Sequence, residues 1–158
     1  MEIVALALGS NLGEREQIIN AAYKQISETC GPIIYTSSMY ETNPIGFESN
    51  DQFINTAILI ETDLSPFELL EATRLIEKAF GREKKSEGFY TSRTLDIDII
   101  IYGQLIMQKQ DLTIPHPKFR ERKFVLEPLN EIAPYLVDPL TNQTISKLLH
   151  YLKINEID

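Results

Sequence analysis

The sequence predicts an α+β fold of β-α-β-β-α-β order, with further elements added at its C-terminal end, and three observations carry that prediction. Apolar, β-branched runs of strand length occupy 2–8, 33–40, 53–62 and 92–102. Two stretches of helical spacing, 14–29 and 66–80, separate the first run from the second and the third from the fourth. Turn chemistry falls between them: Gly9-Ser10-Asn11-Leu12-Gly13, Gly31-Pro32 and the Pro/Gly/Asn-containing loop before Phe53.

Each element has its own local reason. Glu2 to Leu8 is a short apolar strand, and Ile18, Ala22 and Ile26 mark one face of the helix that follows. Ile33 to Tyr40 and Phe53 to Thr62 read as the next two strands. The second helix is sharply announced: Ser65 as N-cap, Pro66 at the first helical position and Glu68 three residues after the cap form a capping box. Leu69, Leu70, Thr73, Ile76 and Phe80 supply its buried stripe, and Gly81 is placed to end it. The loop 82–91 leads into the fourth strand. Beyond it lie Leu105-Ile106-Met107, the turn Thr113-Ile114-Pro115-His116-Pro117, an apolar stretch around 125–132 and a short helix from about Ile145 to Leu152. The order is that of a ferredoxin-like sandwich with C-terminal additions, and that fold alone assigns no function.

With 158 residues and 43% hydrophobic content the chain fits a single domain, 1–158, with one substantial core. A net charge of −8 argues against a general nucleic-acid or anionic-membrane surface, so no nucleic acid and no membrane are expected as partners. The single cysteine, Cys30, excludes an internal disulfide and is expected to fill a helix end. No apolar run approaches the ~18 residues of a membrane span, and Glu2 stands where a signal peptide carries positive charge, so a cytoplasmic protein is expected.

The most informative stretch is Ser92-Arg93-Thr94-Leu95-Asp96-Ile97-Asp98-Ile99-Ile100-Ile101-Tyr102. Side chains alternate along a strand, so Asp96 and Asp98 share one face while Leu95, Ile97 and Ile99 take the other. The Cα atoms of an i, i+2 pair stand roughly 6.5–7 Å apart, which lets both carboxylates reach one hard cation or two adjacent ones. The alternatives are a solvated face or pairing with Arg93. No phosphate-binding G-x-x-x-x-G-K-[ST] loop and no G-x-G-x-x-G turn is present. Instead, Arg82, Lys84, Lys85 and Arg93 come before or at the start of the strand, and His116, Arg120, Arg122 and Lys123 follow it. In an acidic chain, local cations around an acidic pair suit a polyphosphate whose Mg²⁺ sits on Asp96 and Asp98. Held between two prolines, His116 is either a phosphate donor or a turn residue. A second kind of site lies near Thr42-Asn43-Pro44-Ile45-Gly46, where Phe53 and Asn55 share a strand face. A ring beside an amide suits a flat polar heterocycle, and Phe124 is a candidate for its other face, although Phe53 alone also fits ordinary core packing.

These residues resemble the 6-hydroxymethyl-7,8-dihydropterin pyrophosphokinases of folate biosynthesis. The resemblance rests on Leu8-Gly9-Ser10-Asn11-Leu12-Gly13, Tyr40-Glu41-Thr42 with Pro44-Ile45-Gly46, Phe53-Ile54-Asn55, Ile76-Glu77 with Gly81-Arg82, Arg93-Thr94-Leu95-Asp96-Ile97-Asp98-Ile99 and Pro115-His116. It implies transfer of the β,γ-diphosphate of ATP to the pterin hydroxymethyl group, with release of AMP. It also implies that Asp96 and Asp98 hold two Mg²⁺ ions, and that Arg82 and Arg93 act in the transfer. Lys84, Lys85, Arg93, His116 and Arg122 then contact the phosphates, with Glu77, Ile99 and Thr113 near the nucleotide. Thr42, Pro44, Ile45, Phe53, Asn55 and Phe124 form the pterin pocket. The expected state is a monomer, open to association with a folate-pathway enzyme. Thr91, Phe89, Asn43 and Asp111 depart from the family pattern: Gly or Ala, an indole, a proline and a basic residue are usual there. Two other readings compete on the same residues, a two-metal phosphohydrolase and a non-enzymatic ligand-sensing or RNA-binding module of the same fold.

Overall fold

The computed structural model describes residues 1–10, 15–42, 53–80, 85–86, 89–90 and 95–156. Its elements, in chain order, are β1 (Glu2–Ser10), α1 (Arg15–Thr29), β2 (Ile33–Thr36), β3 (Tyr40–Thr42), β4 (Phe53–Thr62) and α2 (Pro66–Ala79). There follow β5 (Lys85–Ser86), β6 (Phe89–Tyr90), β7 (Asp96–Tyr102), β8 (Met107–Gln108), β9 (Thr113–Ile114) and a 3₁₀ turn at Phe119–Glu121. The chain closes with α3 (Lys123–Ile132), β10 (Val137–Asp138), β11 (Gln143–Thr144) and α4 (Ile145–Ile154). The main sheet runs β2-β4-β1-β7, with β3 also paired to β4, and its pairings are antiparallel. This is the expected ferredoxin-like arrangement, with one strand divided: 33–40 is not continuous, because Ser37–Met39 interrupt it. At that break Ser37 takes over the ladder through both backbone and side chain. Its N–H donates to the Ala57 carbonyl (2.9 Å), and the Ala57 N–H donates to Ser37 Oγ (3.0 Å).

Burial follows the alternation of the strands. Val4, Leu6 and Leu8 of β1 and Ile54, Ile58 and Ile60 of β4 face α1 and α2, which contribute Ile19, Ala22, Ile26, Leu69 and Ile76. Ile19 rather than Ile18 is the fully buried residue of the first turns of α1. The opposite face, carrying Ala5, Ala7, Ala57 and Leu59, is covered by Val125, Leu126 and Leu129 of α3 and Ile145, Leu148 and Leu149 of α4. The C-terminal additions thus form a third layer: the apolar stretch around 125–132 is a helix, and Phe119, fully buried, seals its entry. Each such side chain contributes about 1.5–3 kcal/mol on leaving water.

A register shift between Ala5 and Leu6 places Ile101 opposite Ala5 and Ile99 opposite Leu6. Ile100 is the extra residue of a β-bulge, so Ile100 and Ile101 both join the α3/α4 core while Tyr102 returns to the other. The bulge lets a strand that presents carboxylates at Asp96 and Asp98 continue into a wholly buried end. Gly31, at φ +146°, permits the α1–β2 turn to pass against β4: a Cβ there would lie 1.9 Å from the Glu61 carbonyl oxygen. Cys30 is buried in the core just after α1, and burial pushes its thiol pKa up. Gly81, proposed to end α2, lies outside the described residues.

The capping box forms as read: Ser65 Oγ accepts from the Glu68 N–H (3.2 Å), and Glu68 Oε1 accepts from the Ser65 N–H (2.8 Å). Ser65→Ala is expected to lower unfolding free energy by about 1 kcal/mol, the usual worth of an N-cap. Urea denaturation measures this, and turnover of the variant should match that of the parent.

Candidate active site

The register of β1 against its two neighbours builds the site. Gly9 is opposite Asn55 on β4 and opposite Asp96 on β7, and one pair further along Ala7 is opposite both Ala57 and Asp98. Asn55, Gly9, Asp96 and Asp98 therefore share the sheet face covered by α3. With strands ~4.8 Å apart, the Asn55 and Asp96 backbones stand roughly 10 Å apart across a residue with no side chain. A Cβ at position 9 would sit 3.2 Å from Asn55 Oδ1, so glycine leaves that carbonyl its place above β1. Asn55 is 7% exposed, and its Nδ2 donates to Thr42 Oγ1 (2.9 Å). The amide is thereby fixed by its nitrogen, with Oδ1 on the Gly9 side.

A cavity of about 570 Å³ lies along the outer edge of β7. Its wall includes Glu77, Asp96, Asp98, Ile99, Thr113, His116 and Arg122, all expected from the sequence. It also includes Asp111, noted from the sequence as a departure, and Leu70, Thr73, Arg74, Gln110, Leu112 and Pro117, which sequence reasoning missed as site residues. Thr73 and Glu77 interrupt the buried stripe of α2, and polar groups in such a stripe are the signal that could have been used. Thr42, Phe53, Asn55 and Phe124 do not line this cavity. The acidic pair is half-buried on one face, with Ile97 and Ile99 in the core on the other, as the alternation requires.

An edge strand leaves backbone groups without ladder partners. Here Glu77, 3% exposed, accepts a hydrogen bond from the Ile97 N–H (2.7 Å), and the His116 N–H donates to the Ile100 carbonyl (2.9 Å). His116 Nδ1 accepts from the Lys118 N–H (3.1 Å), which leaves Nε2 to carry the proton of the neutral ring. Burial holds the His116 pKa below its ordinary value; Asp98 opposes this, while Arg122, Lys118 and Arg120 reinforce it. His116 is thus a neutral N–H donor beside the acidic pair.

The cations divide into two groups. The Arg122 guanidinium lies 5.6 Å from the centre of the Phe124 ring, at the start of α3. Arg120 and Lys123, counted with it as candidate phosphate cations, are engaged elsewhere. Arg120 donates through two nitrogens to the fully buried Asp138 carboxylate and stacks 4.7 Å over Phe119, and Lys123 pairs with Glu156 at 2.8 Å. Arg82, Lys84, Arg93, Pro44 and Ile45 lie outside the described residues, as do the Thr91 and Asn43 departures and the side chains of Lys85 and Phe89. Among the described residues no group of three or more His, Cys, Asp or Glu could hold a metal ion. Two carboxylates alone still fit Mg²⁺, which prefers oxygen ligands and is commonly held by one or two carboxylates with substrate phosphates completing the shell.

Residues 5–134 match the family described as 7,8-dihydro-6-hydroxymethylpterin-pyrophosphokinase. The chain belongs to this family. It is an ATP-dependent pyrophosphokinase of folate biosynthesis. A 2-amino-4-hydroxy-6-hydroxymethyldihydropteridine pyrophosphokinase of Porphyromonas gingivalis is 40% identical over 138 residues, 86% of this chain and 94% of that protein. The enzyme of that name from Bacillus subtilis is 41% identical over 132 residues, 83% of this chain and 78% of that protein. Among solved structures, the Plasmodium falciparum HPPK-DHPS shares the fold with a TM-score of 0.77 at 17% identity, over 95% of this chain. This chain spans 44% of that longer one. No helix among the described residues is long and apolar enough to cross a membrane.

Burial raises the Asp138 pKa, but hydrogen bonds from Arg120, Thr141 and the Leu140 N–H outweigh it, so the net value falls below the ordinary 3.8. With the folded pKa below the unfolded one, this contribution to stability is complete above pH 3.8 and is lost as pH falls through the folded value. Asp138→Asn should cost about 3 kcal/mol, near the lower end for breaking a buried pair. It should also flatten the acid limb of the stability curve below pH 3.8, read by denaturation at a series of pH values.

Proposed function

We propose that the β7 edge cavity takes ATP and that the Asn55–Gly9 surface takes 6-hydroxymethyl-7,8-dihydropterin. Chain 1–158 would then form one diphosphate-transferring domain. The observation that carries this reading is the row Asn55–Gly9–Asp96 across three strands, with a polyphosphate-sized cavity opening at the Asp96/Asp98 end. Asn55, fixed by Thr42, reads the edge of the heterocycle, with Phe53 and Phe124 against its faces. The bare position 9 lets the hydroxymethyl arm reach toward the acidic pair. Thr113, Ile99 and Glu77 stand beside the nucleotide, and Pro44 and Ile45 complete the pterin pocket.

Little covalent chemistry is asked of the protein. The pterin hydroxyl oxygen bonds to the β-phosphorus and releases its proton to solvent as the bridging bond to the α-phosphate breaks, and AMP leaves. Asp96 and Asp98 would hold two Mg²⁺ ions, which when bound supply positive charge to the phosphate oxygens. His116, a neutral donor through Nε2, and Arg122 hold the phosphate chain with Lys84 and Lys85. Arg82 and Arg93 stabilise charge on the group in flight. Asp111, acidic at a wall position where the family favours a base, leaves that task to Arg122 and the cations of 82–93. The enzyme acts in the cytoplasm as a monomer. The HPPK-DHPS name of the longer Plasmodium chain supports association with a folate-pathway enzyme.

Asp96→Ala and Asp98→Ala should each lower turnover by roughly 10²-fold or more, the scale of removing one charge-stabilising group, while the fold survives. AMP release measured with and without the pterin decides between transfer and hydrolysis. AMP formed only with the pterin supports transfer, and phosphate release without it would support a phosphohydrolase. Asn55→Ala should weaken pterin binding by about 1–3 kcal/mol, the cost of leaving a polar partner unsatisfied, with ATP affinity unchanged in calorimetry.

A further inference from the structure

We infer that Glu131 is a positioning residue for the pterin subsite, acting through β3 and its tie to the Phe124 side of α3; this rests on the assignment of Asn55 and Phe124 to the pterin. Its carboxylate accepts from the Ser38 N–H at 3.0 and 3.1 Å, from Ser38 Oγ at 2.9 Å and from Tyr40 OH at 2.8 Å. Three donors converge on one side chain, two from the break between β2 and β3 and one from the first residue of β3. Charge-assisted bonds of this kind are among the stronger ones available at a surface. Consistent with them, Tyr40 is pushed up to about 12, by burial first and then by the Glu131 carboxylate, and the Glu131 pKa is lowered.

What this clamp holds is the base of the pterin subsite. Among the described residues β3, Tyr40–Thr42, pairs with β4, Tyr40 opposite Asn55 and Thr42 opposite Phe53. Thr42 in turn fixes the Asn55 amide. At the other end of the same helix, Phe124 precedes Glu131 by seven residues, two turns, so both lie on one stripe of α3. The buried residues of α3 seat it on the sheet, and anchoring Glu131 to Ser38 and Tyr40 ties the stripe that also carries Phe124 to β3. A single carboxylate outside the cavity therefore ties β3, whose Thr42 holds the Asn55 amide, to the ring-bearing helix.

Glu131 is exposed, so its replacement leaves the core intact. Glu131→Ala should raise the pterin KM at saturating ATP by about fivefold to tenfold, the scale of one ordinary hydrogen bond lost from the support of the subsite. The dissociation constant for ATP, measured on the full chain without pterin, should stay within twofold. Ser38→Ala and Tyr40→Phe, each removing one donor, should shift the pterin KM the same way by less. A pterin KM unchanged in Glu131→Ala, or equal losses for both substrates, would overturn the inference. Asn55→Ala run in parallel separates the two levels: if it leaves pterin binding unchanged, the subsite assignment itself fails. If it weakens binding while Glu131→Ala does not, only the positioning role fails.

Discussion

The antiparallel register of β1 with β4 and β7 is the constraint on which the site depends. It sets Gly9 between Asn55 and Asp96 and Ala7 between Ala57 and Asp98, so an amide and two carboxylates from separate parts of the chain stand on one face. A slip of one residue would turn every side chain of β1 over, burying Ala5 and Ala7 against α1 and α2 and exposing Leu6 and Leu8 to the smaller core. The apolar alternation that fills two cores therefore also holds the amide and the two carboxylates in place. The residues on the α3 side of β1, Ala5, Ala7 and Gly9, are small and keep that surface low.

The β7 edge shows how an exposed ladder becomes part of a site. Unpaired edge groups normally invite association with another strand. Here they are taken up by the Glu77 carboxylate and the His116 backbone, and both residues also line the cavity at that edge. Protection of the edge and construction of the cavity are one arrangement. The His116 ring is held by the Lys118 N–H and stays neutral because it is buried among cations, which suits a hydrogen-bond donor better than a charge carrier.

The electrostatics solve a local problem against the global charge. A chain of net charge −8 repels a polyanion at long range, so attraction must come from cations close to the phosphates. The structure withdraws Arg120 and Lys123 from that duty by pairing them with Asp138 and Glu156. Arg120 instead secures the turn between His116 and Arg122, so a buried ion pair fixes the spacing of two residues that face the cavity. Arg122 is left beside both the cavity and the Phe124 ring.

Much of this was fixed by local sequence. The capping box at Ser65, the break at Gly31-Pro32 and the alternation around Asp96 and Asp98 depend on neighbours a few residues apart, and each forms as read. The same holds for Asn55 and Phe53, which share a face because they are two residues apart on one strand. What tertiary structure alone decided is every relation between distant segments. These include the split of 33–40 at Ser37–Met39, the covering of the second sheet face by α3 and α4, the pairing of Arg120 with Asp138, and the clamp of Glu131 on Ser38 and Tyr40. No periodicity encodes which donor meets which carboxylate, because those pairings lie 18 to 93 residues apart. They are set by how helices rest on a twisted sheet, and that is settled only when the whole chain packs.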